Sequence, residues 1–340
     1  MRMLQLEIEE DRELLPYRDE IWPGESGQGY VLRMAAGNGL GGIARIKRML
    51  GCSRFQTLYA QDAPQLAFWF GASVQRLAYA MESSHGSRRV EGSLYMGHSL
   101  GRSYFVNRSH PRVCPECVQD LGYCRAAWDF ALNVACARHQ RALIDRCPAC
   151  ASPLTWTRPD LCLCECGHPW SALDARTSAT DGELLVAHLI DRRMDDQDRV
   201  AKGASPCYEW AESSMNALWL LLEDLSMDGV FRLLFAFATA AGYEMDVPTE
   251  RRLRAAMPKA QQTIAMGIAV GIKLTQQKHV CMRTSSSVLI NLLRESSAEG
   301  LIRTFDASVA CSLLETLSLS KNAVSARSSR NAPLSQLVLF

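Results

Sequence analysis

Soft metal ligands crowd one short stretch of this 340-residue chain. Cys114 and Cys117 form a C-x2-C step, Cys136 and His139 a C-x2-H step, and Cys147 and Cys150 a second C-x2-C step. A tight cluster follows, Cys162, Cys164 and Cys166, with His168 just beyond. Nine of the thirteen cysteines fall between Cys114 and Cys166. Paired steps of this kind bring two ligands to one side of a Zn²⁺, and two steps close a tetrahedron. The first predicted site is Cys114, Cys117, Cys136 and His139. Eighteen residues separate its two pairs, the loop size of a zinc ribbon, treble clef or RING. The second begins at Cys147 and Cys150 and is completed by Cys164 and Cys166, because Gly167 lets the backbone turn toward the sulfurs; Cys162 with Cys166 is the alternative. Pro115 and Pro148 stiffen the two knuckles. Cys52, Cys124, Cys207, Cys281 and Cys311 sit among apolar positions and read as packing thiols.

Two Zn²⁺ ions held by four protein ligands each have no open position for water or substrate, so their role is structural. The remaining histidines have no nucleophile or carboxylate partner that sequence alone identifies. The Gly39–Gly42 cluster lacks the Lys-Ser/Thr ending of a phosphate-cradling loop. Nothing marks an enzyme.

The elements that must hold these ligands are mostly helical. Ser26 is the N-cap of a helix through Tyr30, Leu32, Arg33 and Met34 that stops at Gly37-Asn38-Gly39. A second helix places Ile43, Ile46, Met49 and Leu50 on one face, with Arg45, Lys47 and Arg48 pointing elsewhere. Gln65–Phe70, a break at Gly71-Ala72-Ser73, and Val74–Met81 read as a helix-turn-helix that presents Gln75, Arg76 and Tyr79. Short strands are expected at Ser93–Met96 and Tyr104–Val106. Beyond the zinc region, helices are predicted at Gly182–Arg193, Trp210–Leu225, Gly229–Ala241, Thr249–Met257, Gln262–Leu274, Ser286–Ser297 and Ser308–Leu317. Leu313, Leu317, Ser320 and Val324 mark a second helix-turn-helix candidate near the end. The fold class is therefore mainly α with a small zinc-binding module. The expected segments are an acidic leader 1–22, a helical domain 23–112, a double zinc finger 113–172, a linker 173–205 and a helical domain 206–340.

A net charge of +1 excludes a globally basic nucleic-acid binder, so any such binding must use local patches. Gly27–Gln61 carries five Lys/Arg and Arg251–Arg283 seven, neither with one acid. Met1–Glu20 is acidic rather than basic then apolar, and the apolar runs are too short to span a bilayer. Cysteines at metal spacing then imply a reducing cytoplasm.

The order Cys114-Pro115-x-Cys117, Gly122-Tyr123, Trp128, Cys136-x2-His139-x3-Leu143, Cys147-Pro148-x-Cys150, Pro153-Leu154, Cys164-x-Cys166-Gly167 resembles the TniQ/TnsD family of transposon target-selection proteins. Pro23, Glu25, Ser26, Tyr30, Arg33, Ala35 and Asn38-Gly39 are similar to the opening of that family, from which Gly24 and Gly29 depart. The resemblance implies a non-catalytic adaptor between a target-recognition element and an AAA+ ATPase regulator that recruits the transposase. It implies partner or DNA contact by Arg45, Lys47, Arg48, Gln75 and Arg76. The target element would be an RNA-guided CRISPR effector complex or a fixed DNA site, and relatives pair as homodimers. Two readings compete. A zinc-containing transcription regulator would place Gln75 and Arg76 in the major groove; a RING-like ligase rests on zinc spacing alone.

Overall fold

The computed structural model describes residues 14–53, 56–85, 92–108, 110–171, 177–196, 210, 213–240 and 257–276, with single positions at 306, 308, 309 and 313. Packing divides the chain into two units, Met1–Tyr208 with Met245–Ile264, and Glu209–Glu244 with Ala265–Phe340. The expected helix at Ser286–Ser297, nearly all of those at Thr249–Met257 and Ser308–Leu317, and the second helix-turn-helix candidate lie outside the described residues, as does most of the acidic leader.

In the first unit, α1 (Gly27–Gly37) starts where the Ser26 side chain accepts from the Gly29 N–H. It stops at Asn38, whose side-chain amide donates to the carbonyls of Met34 and Tyr17. Tyr30, Val31, Leu32, Met34 and Ala35 are fully buried. The helix entrance is tied by charge. Arg33 grips Glu25 through two bonds of 2.8 and 2.9 Å and reaches Asp19 at 2.6 Å, while Glu25 itself is sealed from solvent. The Glu25 and Arg33 of the opening motif are thus halves of one bidentate ion pair.

α2 (Ala44–Met49) follows, then α3 (Ala63–Phe70) and α4 (Val74–Tyr79). The turn between the last two rests on Gly71 at φ +75°, which a side-chain-bearing residue adopts only under strain. Ser73 caps α4 by accepting from the Arg76 N–H. Leu66, Ala67 and Leu77 are buried between these helices, as the helix-turn-helix pattern requires. The chain then forms a three-stranded antiparallel sheet, β1 (Ser83–His85), β2 (Gly92–Tyr95) and β3 (His98–Leu100). Tyr95 pairs with His98 across a two-residue turn in which Met96 and Gly97 both have positive φ, the backbone of a tight hairpin. The strand expected at Tyr104–Val106 is instead a 3-10 turn, Ser103–Phe105. Val106 makes one isolated bridge to Phe130, too little pairing to extend a ladder.

The amino-terminal helices and the zinc region are stitched together. Ser26 N–H donates to Cys124 O at 2.8 Å, Ala126 N–H to Gly24 O at 2.8 Å, and Glu25 bridges Arg125. A Cβ on Gly29 would lie 2.8 Å from that of Cys124, so the departure to glycine there permits this contact. α6 (Asp181–Asp196) opens on a capping box between Thr180 and Glu183. It buries Leu184, Leu185, Val186, Leu189 and Ile190, and Asp191 accepts from Arg125 at 2.8 Å.

In the second unit, α7 (Ser213–Leu222) and α8 (Met227–Ala240) bury Leu218, Leu222, Phe231, Leu234 and Phe237. α9 (Met257–Thr275) approaches them through glycines. A Cβ on Gly267 would meet Leu234 O at 2.8 Å, and one on Gly271 the Leu218 side chain at 2.7 Å. Among the described residues no helix is long and apolar enough to cross a membrane.

Two outcomes follow from this packing. Arg33→Met leaves the buried Glu25 carboxylate uncompensated and should cost about 3–5 kcal/mol in a urea unfolding curve, with Glu25→Gln added to it recovering part of the loss. Asp129, buried and accepting from the Tyr95 hydroxyl at 2.5 Å, has its carboxyl pushed up to about 7 by desolvation. The folded state therefore holds this proton after an unfolded chain, titrating near ~3.9, has lost it. Its contribution is complete below about pH 4 and is lost as pH rises through about 7. Unfolding curves at pH 5 and pH 8 should show lower stability at the higher pH, and Asp129→Asn should shrink that difference.

Candidate metal centres

Each knuckle is built by local backbone geometry. Cys114 is the N-cap of α5 (Pro115–Leu121) and Cys117 lies in its first turn. Proline at the first helical position holds the φ a helix needs, and Gly122 in a left-handed conformation ends it. The other half is a hairpin of β4 (Ala135–Cys136) and β5 (Arg141–Ala142). Gln140 at φ +54° donates to Cys136 O at 2.8 Å, and the His139 N–H points at Cys136 Sγ at 3.4 Å. The helix and the hairpin thus each deliver two ligand atoms to one point.

The geometry there fits zinc. Cys117 Sγ lies 3.5 Å from Cys136 Sγ and 3.2 Å from His139 Nδ1, and Cys114 Sγ lies 3.4 Å from the same nitrogen. Zn–S bonds of ~2.3 Å in a tetrahedron place sulfurs about 3.8 Å apart, whereas a disulfide requires ~2.05 Å. The mutual contact of the Cys114, Cys117 and Cys136 sulfurs, with burial, drives the Cys117 thiol far above its ordinary pKa. Three thiolates this close need a divalent cation among them. Behind the site, His139 Nε2 faces Asp120 at 3.4 Å and Glu116 at 3.8 Å. This outer carboxylate pair orients the ring and selects Nδ1 as the ligand atom.

In the second cluster Cys147, Cys150, Cys164 and Cys166 converge, with all ligand atoms within 4.8 Å of one another, as they are in the first. Cys147 and Cys166 sulfurs are 3.8 Å apart, Cys150 and Cys164 sulfurs 3.7 Å. Cys162 stays outside the group. Gly167 stands at φ +86°, and its N–H returns to Cys164 O at 2.9 Å. Hydrogen bonds from Ser152 pull Cys150 down to about 6, toward the thiolate a metal requires. Cys150 and Cys166 are exposed, whereas three of the first cluster's ligands are buried and the fourth half-buried. Beside the second cluster, buried Arg158 lies over the rings of Trp156 and Trp170 and donates to the carbonyls of Thr155, Asp160 and Leu161. Cys124, read as a packing thiol, is buried with its sulfur 3.7 Å from Arg158.

The proposed contact residues divide. Arg45 and Arg48 are exposed on α2, and Gln75, Arg76 and Tyr79 are exposed on α4. Lys47 is not: its side chain is buried and desolvation lowers its pKa. The reason is helical phase. Ile43, Ile46 and Lys47 follow the i, i+3, i+4 rule, so Lys47 shares the stripe of the two buried isoleucines. Sequence reading also missed Asp120 and Glu116, whose spacing of four on one short helix was the available signal.

This geometry defines a helical protein assembled around a closed knuckle of three cysteines and one histidine, with a second cysteine cluster beyond it. The family model of TniQ matches residues 16–143, so this part of the chain is a TniQ domain. The match spans the amino-terminal helices and the whole first cluster and stops four residues short of Cys147. A TniQ domain denotes a target-selection role associated with transposition, in a family of non-catalytic adaptors. No curated protein matches the chain.

If both clusters hold zinc, the purified protein should contain two zinc ions per chain by elemental analysis. Cys150→Ser should remove one and leave the fold intact. Cys117→Ser should remove the other and unfold the lobe, since structural zinc contributes on the order of 10 kcal/mol. Asp120→Asn should keep both ions yet weaken the first about 10- to 100-fold against a competing chelator.

Proposed function

We propose that this protein is the target-selection adaptor of a transposition system. It would link a DNA-targeting element, an RNA-guided CRISPR effector complex or a DNA site, to an AAA+ ATPase regulator and its transposase, acting in the cytoplasm and as a homodimer. One observation carries the reading. The TniQ match covers helices and knuckle that form one packed body, in which Glu25, Ser26 and Gly29 of the opening motif lie directly against Cys124 and Arg125 of the zinc loop. In this view the zinc ions make a rigid docking lobe. Arg45 and Arg48 on α2 and Gln75 and Arg76 on α4 supply contacts to partner or nucleic acid.

A zinc-containing transcription regulator is the competing function, favoured by the exposed Gln75 and Arg76 after a helix-turn-helix bend. α4 is only six residues long, about 9 Å at ~1.5 Å per residue, which gives little helix to lay along a major groove.

Deleting the protein should abolish insertion at the selected target while the transposase still cuts transposon ends. Insertion counts by sequencing, beside an end-cleavage assay, measure both. Targeted insertion persisting in the deletion strain would refute the adaptor role. A reproducible duplex site bound by the isolated protein, with steep salt dependence, would favour the regulator. Arg45→Glu with Arg48→Glu should lower insertion while changing stability by no more than about 0.5 kcal/mol, as expected for exposed positions.

A further inference from the structure

The face of α4 that carries Gln75 and Arg76 is not a convex ridge. It forms one wall of a groove of about 390 Å³, shared with Trp22 of the opening loop, Met96 of the hairpin turn and Met194 near the end of α6. That volume lies at the small end of the roughly 300–1,000 Å³ of ligand pockets. Tyr79 forms part of the same wall, its hydroxyl donating to Met96 O at 3.0 Å, which fixes the ring in place. Trp22 is 53% and Tyr79 43% exposed, large for aromatic surface left to water.

We infer that this groove docks an acidic peptide segment of a protein partner, with one bulky apolar side chain seated between Trp22, Tyr79 and the two methionines and a flanking carboxylate on Arg76. Unbranched methionines repack around varied apolar shapes, and rigid aromatics supply contact area with little entropy to lose. The charge argument sets the partner's sign. Arg76 is exposed and makes no ion pair among the described residues. The acid in the lining, Glu25, is already taken by Arg33. A nucleic-acid strand carries a phosphate at every step and needs a row of cations, whereas this lining offers Arg76 alone. The inference deepens the adaptor reading by giving the chemistry of one partner, and it is tested apart from it.

Random peptides displayed on phage should be selected on the zinc-loaded full-length protein. The expected enrichment is Trp, Phe, Leu or Met beside Asp or Glu. A synthetic copy of the leading peptide should shift the fluorescence of the wild-type protein and compete with the phage. Arg76→Glu should weaken that peptide at least tenfold and turn the selection toward Lys- or Arg-flanked sequences. Tyr79→Ala should weaken it without that charge reversal. Both positions are exposed, and unchanged zinc content and thermal melting would show that each variant is folded. The inference fails if no such class is enriched or if the peptides ignore Arg76→Glu. It fails too if that variant abolishes only duplex binding, or only self-association by light scattering. Loss of targeted insertion is not a readout here, so failure of the groove and failure of the adaptor role remain distinguishable.

Discussion

Three sulfurs and an imidazole nitrogen gathered within 4.8 Å repel one another once the thiols ionise, and only a bound cation turns that repulsion into attraction. The first unit is organised around this fact. α5 and the β4–β5 hairpin are too short to persist alone; one has seven residues and the strands of the other two each. A metal held by Cys114, Cys117, Cys136 and His139 would join them. The loop between the ligand pairs then becomes a fixed surface, and Cys124, Arg125 and Ala126 on it receive the backbone of residues 24–26.

The amino-terminal helices therefore inherit their placement from the knuckle. Ser26 caps α1 and bonds Cys124 at once; Glu25 bridges Arg125 through its backbone and holds Arg33 through its side chain. Arg125 continues outward to Asp191 on α6. This chain of contacts runs from zinc loop to helix cap to ion pair to a second helix, and each link is mostly buried. A second contact reaches the other cluster, where a Cβ on Gly42, just before α2, would press within 2.6 Å of the carbonyls of Thr157 and Arg158. Gly42 has φ +108°, so both its conformation and its surroundings demand glycine.

Signals that act over a few residues were legible in the sequence. The Ser26 cap, the Gly71 turn and the C-x2-C steps depend on near neighbours, and their geometry follows from spacing. The choice between Cys162 and Cys164 was harder, because both lie within reach of Cys166. The left-handed Gly167 and its bond to Cys164 O select the second. Lys47 was misread because its charge was given more weight than its phase, although Ile43 and Ile46 set the buried stripe three and four residues earlier. Asp120 could have been read from its place on the ligand-bearing helix. The groove beside α4 could not. It assembles from four segments between Trp22 and Met194, and no local pattern encodes such long-range adjacency.

The two clusters differ in a way that bears on their roles. The first lies inside the matched region, is mostly buried and has carboxylates behind its histidine; the second lies outside the match and leaves Cys150 and Cys166 exposed. Metal exchange proceeds through ligand dissociation and attack by outside donors, and exposed sulfurs admit both. With metal bound, burial would therefore order the sites kinetically, the inner one slow to release its ion and the outer one quick. Around the outer site the stability is shared with apolar and cation–π packing, since Leu154, Trp156, Arg158 and Trp170 are all buried there. Arg158 satisfies three backbone carbonyls between two indole rings. That packing gives the second loop a scaffold partly independent of any metal its cysteines would hold, whereas α5 and the β4–β5 hairpin meet chiefly at the first cluster's ligands.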